Sequence, residues 1–419
     1  MLPRVRAGED QLVAGQTGRW RALAHSGAGI AVAIMVMNLA TYAFQMVAAR
    51  ILGPAQYGGV ASLMALMLVV AVAQLGLQAT AARRISATPD HVAQIERVIL
   101  RVTYRASFAL GLIMLLLAPL VWKLLRLDSI APALLVAVAT VPLTILGGQT
   151  GILQGERRWL ALGAMYVAMG VPRLVLGGLF IAVRPTEGAA MAGVALALFL
   201  PVVLGHFLLR HPRVPGEDSE LNHLRPTLRE AVTNSTALLA FFVLSNADIV
   251  IARNTLDSHD AGLYAGGLIL TKAVLFLPQF VVVVAFPSMS TVEERKKALL
   301  RSLALVSVLG ACAVLGAWVL SDVAMIFVGG VDYSDVQSRL WLFAILGTLL
   351  SMLQLLVYSV LARQGTRSAY LVWVAVVAVV IGGLLQDSLD GLLMTVIIID
   401  AVLFVTLLTL SLWRLRDPV

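Results

Sequence analysis

A single cysteine, Cys312, occurs among the 419 residues, and it lies inside an apolar block. No disulfide can therefore form within the chain. Charge is scarce as well: 13% of residues are Asp, Glu, Lys or Arg, where soluble domains carry about 25%. Catalytic arrangements are missing. There is no Gly-rich phosphate loop, no zinc-ligand spacing and no Ser/His/Asp constellation. The polar loops are short. Asp128 is the only carboxylate in one of them, and Asp257 and Asp260 lie in another. A membrane-embedded sugar transferase would need acidic residues in such loops. These absences predict a protein that is not an enzyme, with no catalytic residues, no metal site and no cofactor.

Apolar surface is what the chain has instead. Apolar residues make up 60% of it, and the mean hydropathy is +0.91. They gather in blocks of about twenty, long enough to cross a hydrocarbon core of roughly 30 Å as helices. A helix satisfies its own backbone hydrogen bonds where lipid cannot. The pattern predicts an all-α integral membrane protein of about twelve transmembrane helices. The expected spans are 27–49, 58–80, 99–122, 131–152, 160–183 and 188–209, then 230–252, 262–287, 300–321, 338–361, 369–385 and 390–412. The first block exceeds a signal-peptide core of about 7–15 residues, so it reads as a retained span.

The net charge of +8 is scattered over short loops, which argues against nucleic acid as a partner. Basic residues are concentrated in every second loop: Arg83, Arg84 and Arg97, then Arg157 and Arg158, then Arg210, Arg225 and Arg229. The positive-inside rule places both termini in the cytoplasm of a multi-pass plasma (inner) membrane protein. A polar stretch at 211–229, with His211 and His223, reads as a cytoplasmic linker rather than a metal site. It separates an N-terminal six-helix lobe at 27–210 from a C-terminal one at 230–413, with cytoplasmic tails at 1–26 and 414–419.

A pattern recurs across that linker. AARILGPAQYGGVASLMAL (48–66) and IARNTLDSHDAGLYAGGLIL (251–270) both run from an apolar block through Ala-Arg and a polar turn into Gly and a second block. Arg50 matches Arg253 and Gly58 matches Gly262. Further landmarks, RVILR against KALLR and LQGERR against RQGTR, keep the same order. The halves are therefore expected to be parallel repeats around a central cavity.

Ionisable residues inside spans cost on the order of 2.5–3.5 kcal/mol each and mark function by default. Arg173, Asp248, Lys272 and Asp400 are of this kind. Arg173 and Lys272 are expected to bind substrate in the cavity, unless they snorkel or form structural pairs such as Lys272 with Asp248. Asn38, Tyr42 and Gln45 share a face of the first span, and Asn234, Ser245 and Asp248 one of the seventh. The repeat offset places Gln45 on Asp248 and Tyr42 on Ser245, as walls of a shared cavity. Interhelical hydrogen bonding accounts for such polar stripes equally well. A buried carboxylate holds a proton more tightly, so Asp400 or Asp248 is expected to bind a coupling proton or sodium ion, or to pair with a buried cation.

FQMVAARILGPAQYGGVASL resembles the first-loop signature of the polysaccharide-biosynthesis flippases, within the multidrug/oligosaccharidyl-lipid/polysaccharide exporter superfamily. NADIVIARNTLDSHDAGLYAGGLIL resembles their seventh-to-eighth helix signature, and ILQGERRW their fourth-helix exit. On the sequence, Arg50, Gly53, Pro54 and Gly58 match the first signature, and Asp248, Gly262 and Tyr264 the second, with Arg253 beside them at the outer mouth. Leu-Asp-Ser replaces Leu-Gly-Pro in the second copy.

The resemblance implies alternating access and a polyprenyl-diphosphate-linked glycan carried from the inner to the outer leaflet. Membrane lipids and other polysaccharide assembly proteins are the implied partners. Two other readings stay open: a cation-coupled multidrug exporter of the same superfamily, and a non-transporting scaffold of an envelope polysaccharide synthesis complex.

Overall fold

The computed structural model describes residues 27–88, 91–210, 224–275, 292–361 and 366–414. The expected tails, linker residues 211–223 with both histidines, and the far half of the eighth span lie outside them, as do the side chains of Asn234, Arg295, Lys296 and Lys297. The described chain is all helix. Its elements are α1 (Gly27–Ala87), α2 (Val92–Leu124), α3 (Ala131–Gly155), α4 (Trp159–Val183) and α5 (Glu187–Leu209), then α6 (Leu224–Thr255), α7 (Ser258–Leu275) and α8 (Val292–Val319). A short α9 (Ser321–Val328) and a 3-10 turn (Val331–Arg339) precede α10 (Leu340–Leu361), α11 (Thr366–Leu384) and α12 (Leu389–Arg414).

Nine of these helices are long and apolar enough to cross a membrane, among the described residues. The first has the length of two crossings. Counting α1 twice and adding α7 and α11 accounts for the twelve expected. The boundary between the first two spans differs from expectation: α1 runs through the polar turn and breaks only at Gly53 (φ 69, ψ 172). That positive φ suits glycine, and the Pro54 that follows has no N–H to donate. The loop before α10 also differs, being folded into α9 and the 3-10 turn.

Packing repeats between the halves. In the first, α3 lies against α1, α2 and α5, and α4 against α1 and α5. In the second, α10 lies against α7, α8 and α12, and α11 against α6 and α12. These are corresponding pairs once α1 is taken as two spans. Glycines allow the backbones to approach: a Cβ on Gly170 of α4 would overlap Met37, and one on Gly347 of α10 would overlap Thr271. Close approach of small residues is how helices gain contact when no hydrophobic drive separates them from lipid. Hydroxyls within apolar helices close on their own backbone, as Thr140 does on Val136 (2.8 Å) and Thr144 on Thr140 (2.8 Å).

Candidate functional site

The halves meet along a seam where α1 packs on α6 and α7, and α2 on α6. At one end of the seam the two copies of the repeated motif face each other. A Cβ on Gly58 would stand 3.3 Å from the Gly262 Cα, and one on Gly262 would overlap the Pro54 carbonyl. Around this contact lies a set of hydrogen bonds from one half to the other. Arg253, 5% exposed, donates from Nε to the Leu125 carbonyl (2.9 Å) and from Nη2 to the Arg126 carbonyl (2.5 Å). Asn254 donates to the Leu124 carbonyl (2.7 Å), and Arg126 returns a bond to the Asn254 carbonyl (2.7 Å).

Local sequence explains why those carbonyls are available. Helix α2 ends at Leu124, and the last carbonyls of a helix lack intrahelical partners. Arg126 turns into the left-handed region (φ 47), and the Leu127 N–H closes on the Trp122 carbonyl (3.1 Å). The remaining carbonyls are met by a guanidinium from the other half. Further along, the exposed Arg50 donates to the Ile326 carbonyl (3.0 Å), and the buried Tyr333 hydroxyl to the Ala49 carbonyl (3.3 Å).

Beneath Arg253 sits Glu187, 3% exposed, with its Oε1 4.0 Å from Nη2. Its Oε2 accepts the Asp128 N–H (3.4 Å), while Gln56 accepts the Glu187 N–H (3.3 Å) and donates to Asp128 (2.5 Å). The carboxylate packs directly on Gly59, where any side chain would overlap it. At the other end of the seam, Arg83 and Arg84 of α1 both bind Glu230 of α6, Arg84 at 2.9 Å.

The structure thus gathers Arg50, Gly53, Pro54, Gly58, Arg253 and Gly262 at one end of the seam. Sequence reasoning passed over Glu187, Gln56, Asn254 and Tyr333. Glu187 had a local signal: Thr186 caps α5 by accepting the Ala189 N–H (3.2 Å), so Pro-Thr-Glu marks a helix start that brings a carboxylate into the first turn.

Mid-span charges divide between the halves. Lys272 donates to the Ser245 carbonyl (2.7 Å) and to Asn246 Oδ1 (2.9 Å), both on α6; the alternative to substrate binding, a direct ion pair with Asp248, is not formed. Asp248, 2% exposed, accepts the Ile249 N–H (2.9 Å) and the Tyr264 hydroxyl (3.1 Å). Tyr264 stands edge-on to Phe343 with centroids 5.4 Å apart, which holds its hydroxyl in place. Asp400, 1% exposed on α12, has no hydrogen-bond partner for either oxygen among the described residues. Half-buried Arg173 on α4 likewise leaves its Nε without one. Asn38, Tyr42 and Gln45 are half-buried on α1, whereas Ser245 and Asp248, at the equivalent positions of α6, are enclosed.

The chain matches the family model described as polysaccharide biosynthesis protein over residues 24–293. No curated protein matches it. Among solved structures it is similar to an inward-facing multidrug resistance MATE family transporter of the MOP superfamily, with TM-score 0.72 and 14% identity over 92% of this chain and 98% of that one. An outward-facing transporter of the same description gives TM-score 0.58 at 16% identity, covering 94% and 97%. The MATE multidrug transporter DinF-BH in complex with R6G gives 0.66 at 13%, covering 94% of each.

Proposed function

Because the chain belongs to the polysaccharide biosynthesis protein family, we propose that it is a multi-pass membrane transporter rather than an enzyme, and that it carries a polyprenyl-diphosphate-linked glycan from the inner to the outer leaflet. Lys272 is the observation that carries this reading. It is a half-buried ammonium whose two hydrogen bonds go to neutral acceptors; buried Asp248 acts on it electrostatically without a direct ion pair, so an anion can still take a charge-assisted bond there. Arg173, with an unsatisfied Nε on the opposite half, supplies a second cation. A diphosphate suits both, since charge-assisted bonds in a dry site are about twice as strong as neutral ones.

With both termini in the cytoplasm, as the basic loops suggest, the Arg253 contacts would form an outer gate and the Arg83 and Arg84 bonds to Glu230 an inner one. An inside-negative potential favours outward movement of an anion by up to about 2.3 kcal/mol per charge per 100 mV. Gln45, Asn38 and Tyr42 would line the cavity wall, and other envelope assembly proteins would take over the product.

A second reading, cation-coupled multidrug export, rests on Asp400. A buried carboxylate without a hydrogen-bond partner among the described residues suits a proton, a sodium ion or an organic cation. One assay separates the two: leaflet translocation of a fluorescent polyprenyl diphosphate sugar in proteoliposomes. Arg173→Ala and Lys272→Ala should each slow flipping about tenfold or more, the loss of one charge-assisted contact. Unchanged flipping in both would overturn the cationic site. Efflux of an organic cation driven by a sodium or proton gradient would favour the second reading.

A further inference from the structure

An apolar cleft of about 200 Å³ opens between the halves, below the Arg253 contacts. Leu66 and Val69 of α1 form one wall, and Val243 and Val250 of α6 the other, with Val121 of α2 between them. Leu124, 45% exposed, lies on its rim, on a surface that the membrane reading places in hydrocarbon. Its one polar lining residue is Asn246, which is 4% exposed.

Asn246 lines the cleft and also takes the Lys272 ammonium on its Oδ1 at 2.9 Å. A cation proposed to hold an anionic headgroup is therefore one side chain away from an apolar slot at the lobe seam. We infer that this cleft seats the polyprenyl tail of the lipid-linked substrate while its diphosphate is held at Lys272. The inference rests on the glycan-lipid reading above.

Three features favour the substrate's own tail over a bilayer acyl chain. The tail is covalently joined to the headgroup, so it must leave the cavity between the lobes, and the cleft lies on that seam. Leu125, another wall residue, offers its carbonyl to Arg253, so parting of the lobes that frees this bond widens the cleft. An apolar cavity of about 150 Å³ takes a benzene-sized molecule. The space here fits an isoprene-sized segment, which is what a chain passing through needs.

The test is photo-crosslinking of full-length protein in liposomes with tritiated polyprenyl diphosphate. p-Benzoylphenylalanine is placed at Leu66 or Val243 in the cleft, at Tyr42 in the expected cavity wall, and at Leu116 (72% exposed) on the outer surface of α2. Adducts are expected at Leu66 and Val243 well above Leu116, competed by unlabelled polyprenyl diphosphate and not by phosphatidylglycerol. Lys272→Gln should lower them about tenfold, because the headgroup loses a charge-assisted anchor. Ala247→Phe, which narrows the cleft, should lower them while leaving adducts at Tyr42 intact.

Equal adducts at Val243 and Leu116, or competition by phosphatidylglycerol, would overturn the tail site. Adducts at Tyr42 alone would also overturn it, and the glycan-lipid reading would stand. Absence of adducts at every position sinks both.

Discussion

Gly58 and Gly262, equivalent positions of the two halves, lie in contact: a Cβ on the first would come within 3.3 Å of the Cα of the second. Residues that touch their own counterparts lie beside a pseudo-twofold axis, so the axis relating the repeats passes through this contact. The motif that reveals the duplication is also where the duplicated parts meet.

Filling this contact should separate the halves here. Gly262→Ala would drive a methyl into the Pro54 carbonyl, a backbone atom that cannot rotate away. Overpacking of this kind costs about 1–3 kcal/mol. Thermal unfolding in detergent should show that loss, and spin-label distances across this end should lengthen. Gly178→Ala is the control, since its methyl would have Val47 as nearest neighbour at 4.0 Å. That variant should hold or gain stability, by up to about 1 kcal/mol from helix propensity. Equal behaviour of the two variants would refute the tight contact.

Arg253 should be harder to replace than its charge suggests. Two of its nitrogens reach two successive carbonyls beyond α2. Lysine carries the charge but cannot reproduce the planar fork. Arg253→Lys should therefore lose most of what Arg253→Ala loses, about 1.5–3 kcal/mol for each charge-assisted bond. Both variants should raise thiol labelling of a cysteine introduced at Ala261, which is 1% exposed beside this contact, in a Cys312→Ser background. Full closure retained in Arg253→Lys would mean that charge, not geometry, holds this end.

Much of the fold was legible because the bilayer restricts the options to helices of known length, and apolar blocks count them. The repeat was legible for the same reason that it packs: Gly58 and Gly262 are small because backbones meet there. The Gly53 break was not. A helix running on through Leu-Gly-Pro, with one residue at positive φ, leaves the same sequence trace as a short loop. Opposite charge made Asp248 one candidate partner of Lys272, but the ammonium's hydrogen bonds go to the Ser245 carbonyl and Asn246 Oδ1, on the same helix as that carboxylate. Backbone carbonyls carry no sequence signal, and the Arg253 contacts, made largely to them, were hidden for that reason.

The two buried carboxylates should respond oppositely to neutralisation. Asp248 has a backbone N–H on one oxygen and the Tyr264 hydroxyl on the other. Asp248→Asn weakens both bonds, and each is worth about 1.5–3 kcal/mol with a charged acceptor. It should lower the unfolding temperature. Asp400 has no such bonds among the described residues, so its burial is a standing cost. Replacing an unsatisfied buried polar group by an apolar one of similar shape is neutral or stabilising by about 1–3 kcal/mol. Asp400→Val should therefore keep or raise the unfolding temperature.

Transport then distinguishes the two roles. If Asp400 binds a coupling ion, Asp400→Val should abolish any sodium or proton dependence of translocation while the protein becomes no less stable. A fall in stability for Asp400→Val as large as that for Asp248→Asn would show that Asp400 is held by structural partners and would remove it as the ion site.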